Sequence, residues 1–239
     1  MTASHWHEAV DATWPAARIE TEADMRVRFS PGGGSRVRAA SQLGTQPPDE
    51  ALIERVEQMQ RAAGQPALFS VRQEQVEFDE MLAQRGYRVK DPVIIYAIDP
   101  AALAAQAPPI TVFETWPPLA IQEDIWRTGG IGADRLAVMA RVTGTKISLL
   151  GRIQDQPAGT AFVAMHDDIA MLHALEVLPE HRRRGLARIM MQSAASWALR
   201  QGAAHFALLV TRVNVPANGL YTSLGFQPVG DYHYRLRDD

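Results

Sequence analysis

The chain has 239 residues, more than one compact domain of about 100–150 residues needs and enough for two. Its 24 Lys and Arg against 27 Asp and Glu give a net charge of −3, which argues against general nucleic-acid binding. The absence of cysteine removes disulfides, thiolate metal ligands and cysteine nucleophiles from consideration. The opening MTASHWHEAVDATWP has no basic stretch followed by an apolar one, and no run reaches about 18 apolar residues. A cytoplasmic chain without membrane contact is the default expectation.

In chain order, Pro31-Gly-Gly-Gly-Ser35 reads as a turn between extended segments at Met25 to Phe29 and Arg36 to Ala40. Pro48 to Ala63 reads as a helix, with Leu52, Ile53, Val56, Met59 and Gln60 on one face and Gly64 after it. Ala67 to Arg72 reads as a strand, Glu77 to Arg85 as a helix ending at Gly86-Tyr87, and Val93 to Ile98 as a further strand. AALAAQAPP at 101–109 is the expected linker. Beyond it, Ile110 to Phe113 reads as a strand, 118–142 as one or two helices broken around Thr-Gly-Gly-Ile-Gly at 128–132, and Lys146 to Ile153 with Gly159 to His166 as a hairpin.

Ile169 to Val177 (IAMLHALEV) reads as a buried strand bounded by Asp168 and Pro179. Leu186, Ile189, Met190, Ser193, Ala194, Trp197 and Ala198 follow helical spacing, with Gly202 as a stop, and Phe206 to Val210 reads as the next strand. Between strand and helix stands Arg-Arg-Arg-Gly-Leu-Ala, 182–187. A basic glycine turn at a helix mouth leaves backbone N–H groups unpaired at the positive end of the helix dipole, which suits a phosphate. Neither a P-loop nor a Gly-x-Gly-x-x-Gly dinucleotide motif is present.

Asn214, 27 residues beyond Ala187, opens NVPANGLYTSLGF, of the form Asn-x-x-Ala-x-x-Leu-Tyr-x-x-x-Gly-Phe. With both motifs in this order, the chain from about 110 to 237 resembles the GNAT superfamily of N-acetyltransferases. The resemblance implies an α/β fold with a mixed, mostly antiparallel central sheet flanked by helices. It implies transfer of an acetyl group from acetyl-CoA, as co-substrate and without a metal, directly to a primary amine. Carried over position by position, Arg182, Arg183, Arg184, Gly185, Leu186 and Ala187 would hold the diphosphate, main-chain groups near Leu175 and Val177 the pantetheine arm, and Asn214 would lie near the cofactor. Tyr221 would protonate the departing thiolate, since a phenol with pKa about 10 stays protonated at neutral pH.

The base is less determined. Glu176 ranks before His173; they lie three residues apart and face opposite sides of a regular strand unless a bulge intervenes. The early helices form an acceptor wall in the family, which makes Trp126, Arg127 and Arg135 specificity candidates, although a core tryptophan and surface arginines are the commoner reading. His5 with His7, and His166-Asp167-Asp168, lack further ligands at a metal-binding spacing.

A constant offset of 139, the separation of Gly86 from Gly225, lays the first-half pattern on the second. This suggests two similar halves: a degenerate acetyltransferase-like domain at 1–100, a linker at 101–109 and a catalytic domain at 110–239. In the first copy Gln75 stands at Asn214, Leu82 at Tyr221, and Leu43 to Pro48 at the basic glycine turn. The acceptor is expected to be a small-molecule amine, with no nucleic-acid or membrane partner and a homodimer left open. A protein N-terminus or lysine as acceptor, or a non-catalytic acyl-CoA sensor, are the rival expectations.

Overall fold

The computed structural model describes residues 3–238. Its elements in chain order are α1 (Ala3–Thr13), β1 (Arg18–Glu22), β2 (Met25–Phe29), β3 (Ala40–Gln42), α2 (Glu50–Ala62), β4 (Ala67–Arg72), α3 (Val76–Gln84), β5 (Arg88–Ile98), α4 (Pro100–Leu103), β6 (Val112–Thr115), α5 (Ala120–Thr128), α6 (Ala133–Arg141), β7 (Lys146–Ile153), β8 (Gln156–His166), β9 (Ile169–Val177), α7 (Leu186–Arg200), β10 (His205–Thr211), α8 (Val215–Ser223) and β11 (Gln227–Arg237). The strands form one sheet in the order β1-β2-β3-β4-β11-β5-β10-β9-β8-β7-β6. Only β3–β4 and β9–β10 pair in parallel, so the sheet is mixed and mostly antiparallel, as expected.

The offset of 139 is visible in the elements. It carries Val76–Gln84 onto Val215–Ser223 and Arg88–Ile98 onto Gln227–Arg237 without remainder. These two strands cross over in the sheet: β11, at the end of the chain, pairs with β4, and β5 pairs with β10. β5 and β11 also pair with each other, so the sheet runs unbroken through the chain.

Burial explains the layers. α7 lays Leu186, Met190, Met191, Ala194, Trp197 and Ala198 against the second-half sheet, and α2 lays Leu52, Ile53 and Val56 against the first-half sheet. Asp49 caps α2 by accepting from the Leu52 amide at 2.7 Å, which satisfies one orphan donor of the first turn. On the opposite face of the second half, Trp126, Val138 and Met139 from α5 and α6 pack with Trp14, Phe162 and Ala164.

Several expectations needed correction. Arg36 to Ala40 is not extended throughout: a 3-10 turn covers Ser35–Val37, and the strand begins only at Ala40. The expected linker opens in the α4 turn, where Asp99 accepts from the Ala101 amide at 2.8 Å and Leu103 is buried beside α7. β6 starts two residues late, because Ile110 adopts φ 61.

Candidate active site

The strand Ile169–Val177 does not run straight. Its register on β8 shifts between Thr160 and Phe162, and Ala174 takes φ 51, a conformation an alanine adopts only when its surroundings over-determine it. The indole N–H of Trp126 donates to the Ala174 carbonyl at 2.7 Å and holds this bulge. On its other edge, β9 pairs with β10 only as far as Leu172 and Leu208, although the two strands continue to Val177 and Thr211. The parallel ladder therefore opens into a V, and the facing backbone edges beyond it are free to bind a ligand.

β9 leads into the basic glycine turn. Arg183 has φ 59 and Gly185 φ 83, so consecutive amides turn toward one side. Among the described residues, the backbone N–H groups of Arg183, Arg184, Gly185, Leu186, Ala187 and Arg188 reach no protein acceptor, whereas Ile189 already donates to the Gly185 carbonyl at 3.2 Å. Six free donors at the start of a 15-residue helix fit a diphosphate. A Cβ on Gly185 would meet nothing within 4 Å, so the glycine is needed for its φ and not for space.

The side chains sort differently from the sequence expectation. Arg182 turns back along β9, donating from Nε to the Val177 carbonyl at 2.9 Å and from Nη2 to Glu176 Oε1 at 2.9 Å. Glu176 is thus paired, and its carboxylate packs so closely on Gly129 that a Cβ there would lie 2.5 Å from its Cδ. Neither Glu176 nor Val177 lines the cavity described below, while Leu175 does. Arg127 pairs with Asp124 on the exposed end of α5, and Trp126 is fully buried.

A cavity of about 470 Å³ opens beside the V. Its lining brings Leu175, Asn214 and Tyr221 together with Arg135, and adds Arg36, Lys90 and Asp91 from the first half. Lys90 and Asp91 were missed because β5 pairs with β10, a long-range pairing that no local pattern announces; Arg36 comes from the 3-10 turn after the Pro31–Ser35 glycine loop, which was the available signal. Asn214 caps α8, its Oδ1 accepting from the Ala217 amide at 3.2 Å. The Tyr221 ring lies 6.1 Å from that of Tyr96, and burial pushes its pKa up to about 12, so it stays a proton donor at neutral pH.

His173 is buried, and both ring nitrogens are engaged. Arg36 Nη1 donates to Nδ1 at 3.3 Å, which leaves the proton on Nε2, 2.9 Å from Thr13 Oγ1; that hydroxyl donates to the Ala9 carbonyl at 2.6 Å. Burial, then the Arg36 cation, holds His173 well below its ordinary range. Among the described residues no group of three or more His, Asp and Glu side chains is placed to hold a metal ion, and no helix is long and apolar enough to cross a membrane.

The first half differs at the matching places. Gln75, before α3, accepts from the Arg72 amide at 2.9 Å and donates to Gln42, and Leu82 is fully buried.

Comparison with known proteins accords with this geometry. A 52-residue stretch is 46% identical to the streptothricin acetyltransferase of Streptomyces lavendulae, covering 22% of this chain and 28% of that protein. The curated relatives are matched over only 28–41% of their own length. A GCN5-related N-acetyltransferase from Kribbella flavida superposes with a TM-score of 0.77 at 17% identity, over 99% of this chain and 96% of that one. A tandem GNAT protein from the clavulanic acid biosynthesis pathway superposes with a TM-score of 0.58 at 15% identity, over 83% and 74% of the two chains. Residues 112–226, just under half of the chain, match the acetyltransferase (GNAT) family model, so this segment is similar to that family.

Proposed function

We infer that the protein is an acetyl-CoA-dependent N-acetyltransferase whose second half is catalytic and whose first half is a worn copy of the same unit. The observation that carries this reading is the row of six unpaired amides at the mouth of α7, set where β9 leaves β10. The amides of the turn hold the diphosphate, with Arg183 and Arg184 adding positive charge, and the free edge of β9 near Leu175 receives the pantetheine arm. Asn214 stands at the cofactor side of the cavity. At the matching place, 43–48, the first half has no arginine or lysine and a glutamine where Gly185 stands, and it has no phenol at Leu82, so a single cofactor per chain is expected.

A neutral amine in the cavity attacks the thioester carbonyl. The C–N bond forms, the C–S bond breaks, and the thiolate leaves with a proton from Tyr221. A developing oxyanion needs a preorganised donor, which the unpaired backbone edge of β9 supplies. The amine proton leaves through water to Glu176, which follows the cavity-lining Leu175 on β9 and is itself outside the lining. The cavity's 470 Å³ suits a small-molecule amine better than a folded protein surface. The name of the Streptomyces relative agrees with a small acceptor.

Thiol release from acetyl-CoA over a panel of small amines and peptides tests the assignment. Turnover on small amines supports it. Turnover confined to peptides reassigns the acceptor, and saturable CoA binding with no turnover on any acceptor favours a sensor.

A further inference from the structure

The charge of the cavity has a sign. Its charged lining consists of Arg36, Lys90 and Arg135 against one carboxylate, Asp91. Lys90 is spent on that carboxylate and on Ser35, whose Oγ accepts at 3.0 Å, so the pair nearly cancels. The two guanidinium groups are left over. Among the described residues, neither Arg36 nor Arg135 has a carboxylate partner. Arg36 stacks toward the Trp14 ring at 5.6 Å and spends one N–H on the neutral His173, while its buried Nε has no acceptor at all. A part-buried cation with an orphaned donor is costly unless something anionic completes it.

The two arginines come from different halves and meet at one loop. Arg36 follows the Gly32-Gly33-Gly34 turn, and Arg135 rises from α6 beside it. A Cβ on Gly34 would stand 3.9 Å from Arg135 Nη2, and one on Gly33 would stand 2.8 Å from Val138 Cγ2. Both glycines have φ near +95, so the chain can turn this tightly against α6 only without side chains.

We propose that the acceptor is an amine that also carries an oxyanion, a carboxylate or a phosphate, held between Arg36 and Arg135 while its amino group lies toward Tyr221. This rests on reading the cavity as the acceptor site of an acetyltransferase. It also separates this chain from acetyltransferases of polycationic amines, whose acceptors the leftover positive charge would repel.

The test uses matched probes on the full chain: α- and ω-amino acids, their amides, the corresponding aminoalkylphosphonates, and spermidine. Binding is read calorimetrically with and without saturating CoA, and turnover by thiol release. Carboxylates or phosphonates should bind at least ten-fold more tightly than the amides, with the two oxyanion arms naming the group. The exposed Arg135→Ala variant should abolish that preference and leave CoA affinity unchanged, whereas Arg184→Ala should keep it. Equal binding of acids and amides, a preference for spermidine, or a preference that survives Arg135→Ala overturns the proposal. Oxyanion preference in a chain that fails to bind CoA would sink the acetyltransferase reading and leave the anion site standing, so the two failures are told apart.

Discussion

The indole nitrogen of Trp126 lies 2.7 Å from the carbonyl oxygen of Ala174, the one residue of β9 held at a positive φ. This contact ties α5 to the bulge of β9, two residues past the point where β9 stops pairing with β10, so the tryptophan would act on the proposed cofactor groove without touching it. Trp126→Phe keeps most of the apolar volume and deletes the donor. The expected result is a stability loss of about 1–3 kcal/mol, the cost of a buried carbonyl left without its partner. Denaturant melts should report that loss, and CoA affinity should weaken with it; unchanged CoA affinity would show that the bulge holds itself.

In the proposed mechanism Tyr221 supplies the leaving-group proton. Its raised pKa keeps the phenol protonated well above neutrality, and Tyr221→Phe removes only the hydroxyl from a helix that packs through the ring. A fall in kcat of about 100-fold or more is expected, with little change in the Kd for CoA. Steady-state turnover set beside a CoA titration separates the two quantities.

Glu176 is positioned as much by a glycine as by an arginine. A methyl group at Gly129 would occupy the space of the Glu176 carboxylate and push it off Arg182. Gly129→Ala is therefore expected to lower turnover by about the same factor as Glu176→Gln, with the double variant no worse than either, because both act through one carboxylate. The stability cost should stay below about 1 kcal/mol, since the ion pair is largely exposed on its arginine side. Kinetics on the three variants decide it.

Acid should loosen the fold in a defined window. Burial and the Arg36 cation hold His173 well below 6.5, and burial, with Arg72 nearby, brings His7 down to about 4. The unfolded chain takes up protons near pH 6.5 that these two rings refuse when folded. Their contribution to stability is complete above pH 6.5 and is lost as pH falls from there toward 4. Asp79 enters later: the Arg235 hydrogen bond holds its carboxyl below 3.8, so its contribution is lost only below about pH 4. Melting temperature followed from pH 7 to 4.5 should fall, and His173→Gln should flatten that fall even if its melting point at pH 7 is lower.

Periodicity showed most of the elements and little of how they join. α2, β4, α3 and α7 lie where apolar spacing and their glycine stops placed them, because their buried faces are local patterns. β5 was read only from Val93 onward, since its start carries the charged Arg88 and Lys90 around a lone Val89 and is interrupted by Asp91 at φ 45. β1, with its mostly exposed RIETE, offered no apolar alternation to find. The turn at 182–187 before α7 and the places of Asn214 and Tyr221 at the cap and inside α8 were legible because each needs only its own turn or helix. Arg36, Lys90 and Asp91 were not, since the 3-10 turn that carries Arg36 and the β5–β10 pairing that brings in Lys90 and Asp91 are long-range placements of which sequence spacing carries no record.

The most direct measurement is a calorimetric titration of the intact protein with CoA, beside one with pantetheine, which lacks the diphosphate. The account predicts saturable binding of one CoA per chain, much weaker binding of pantetheine, and loss of that difference in Gly185→Glu. No heat with CoA, pantetheine binding as tightly as CoA, or two CoA molecules bound per chain would contradict it.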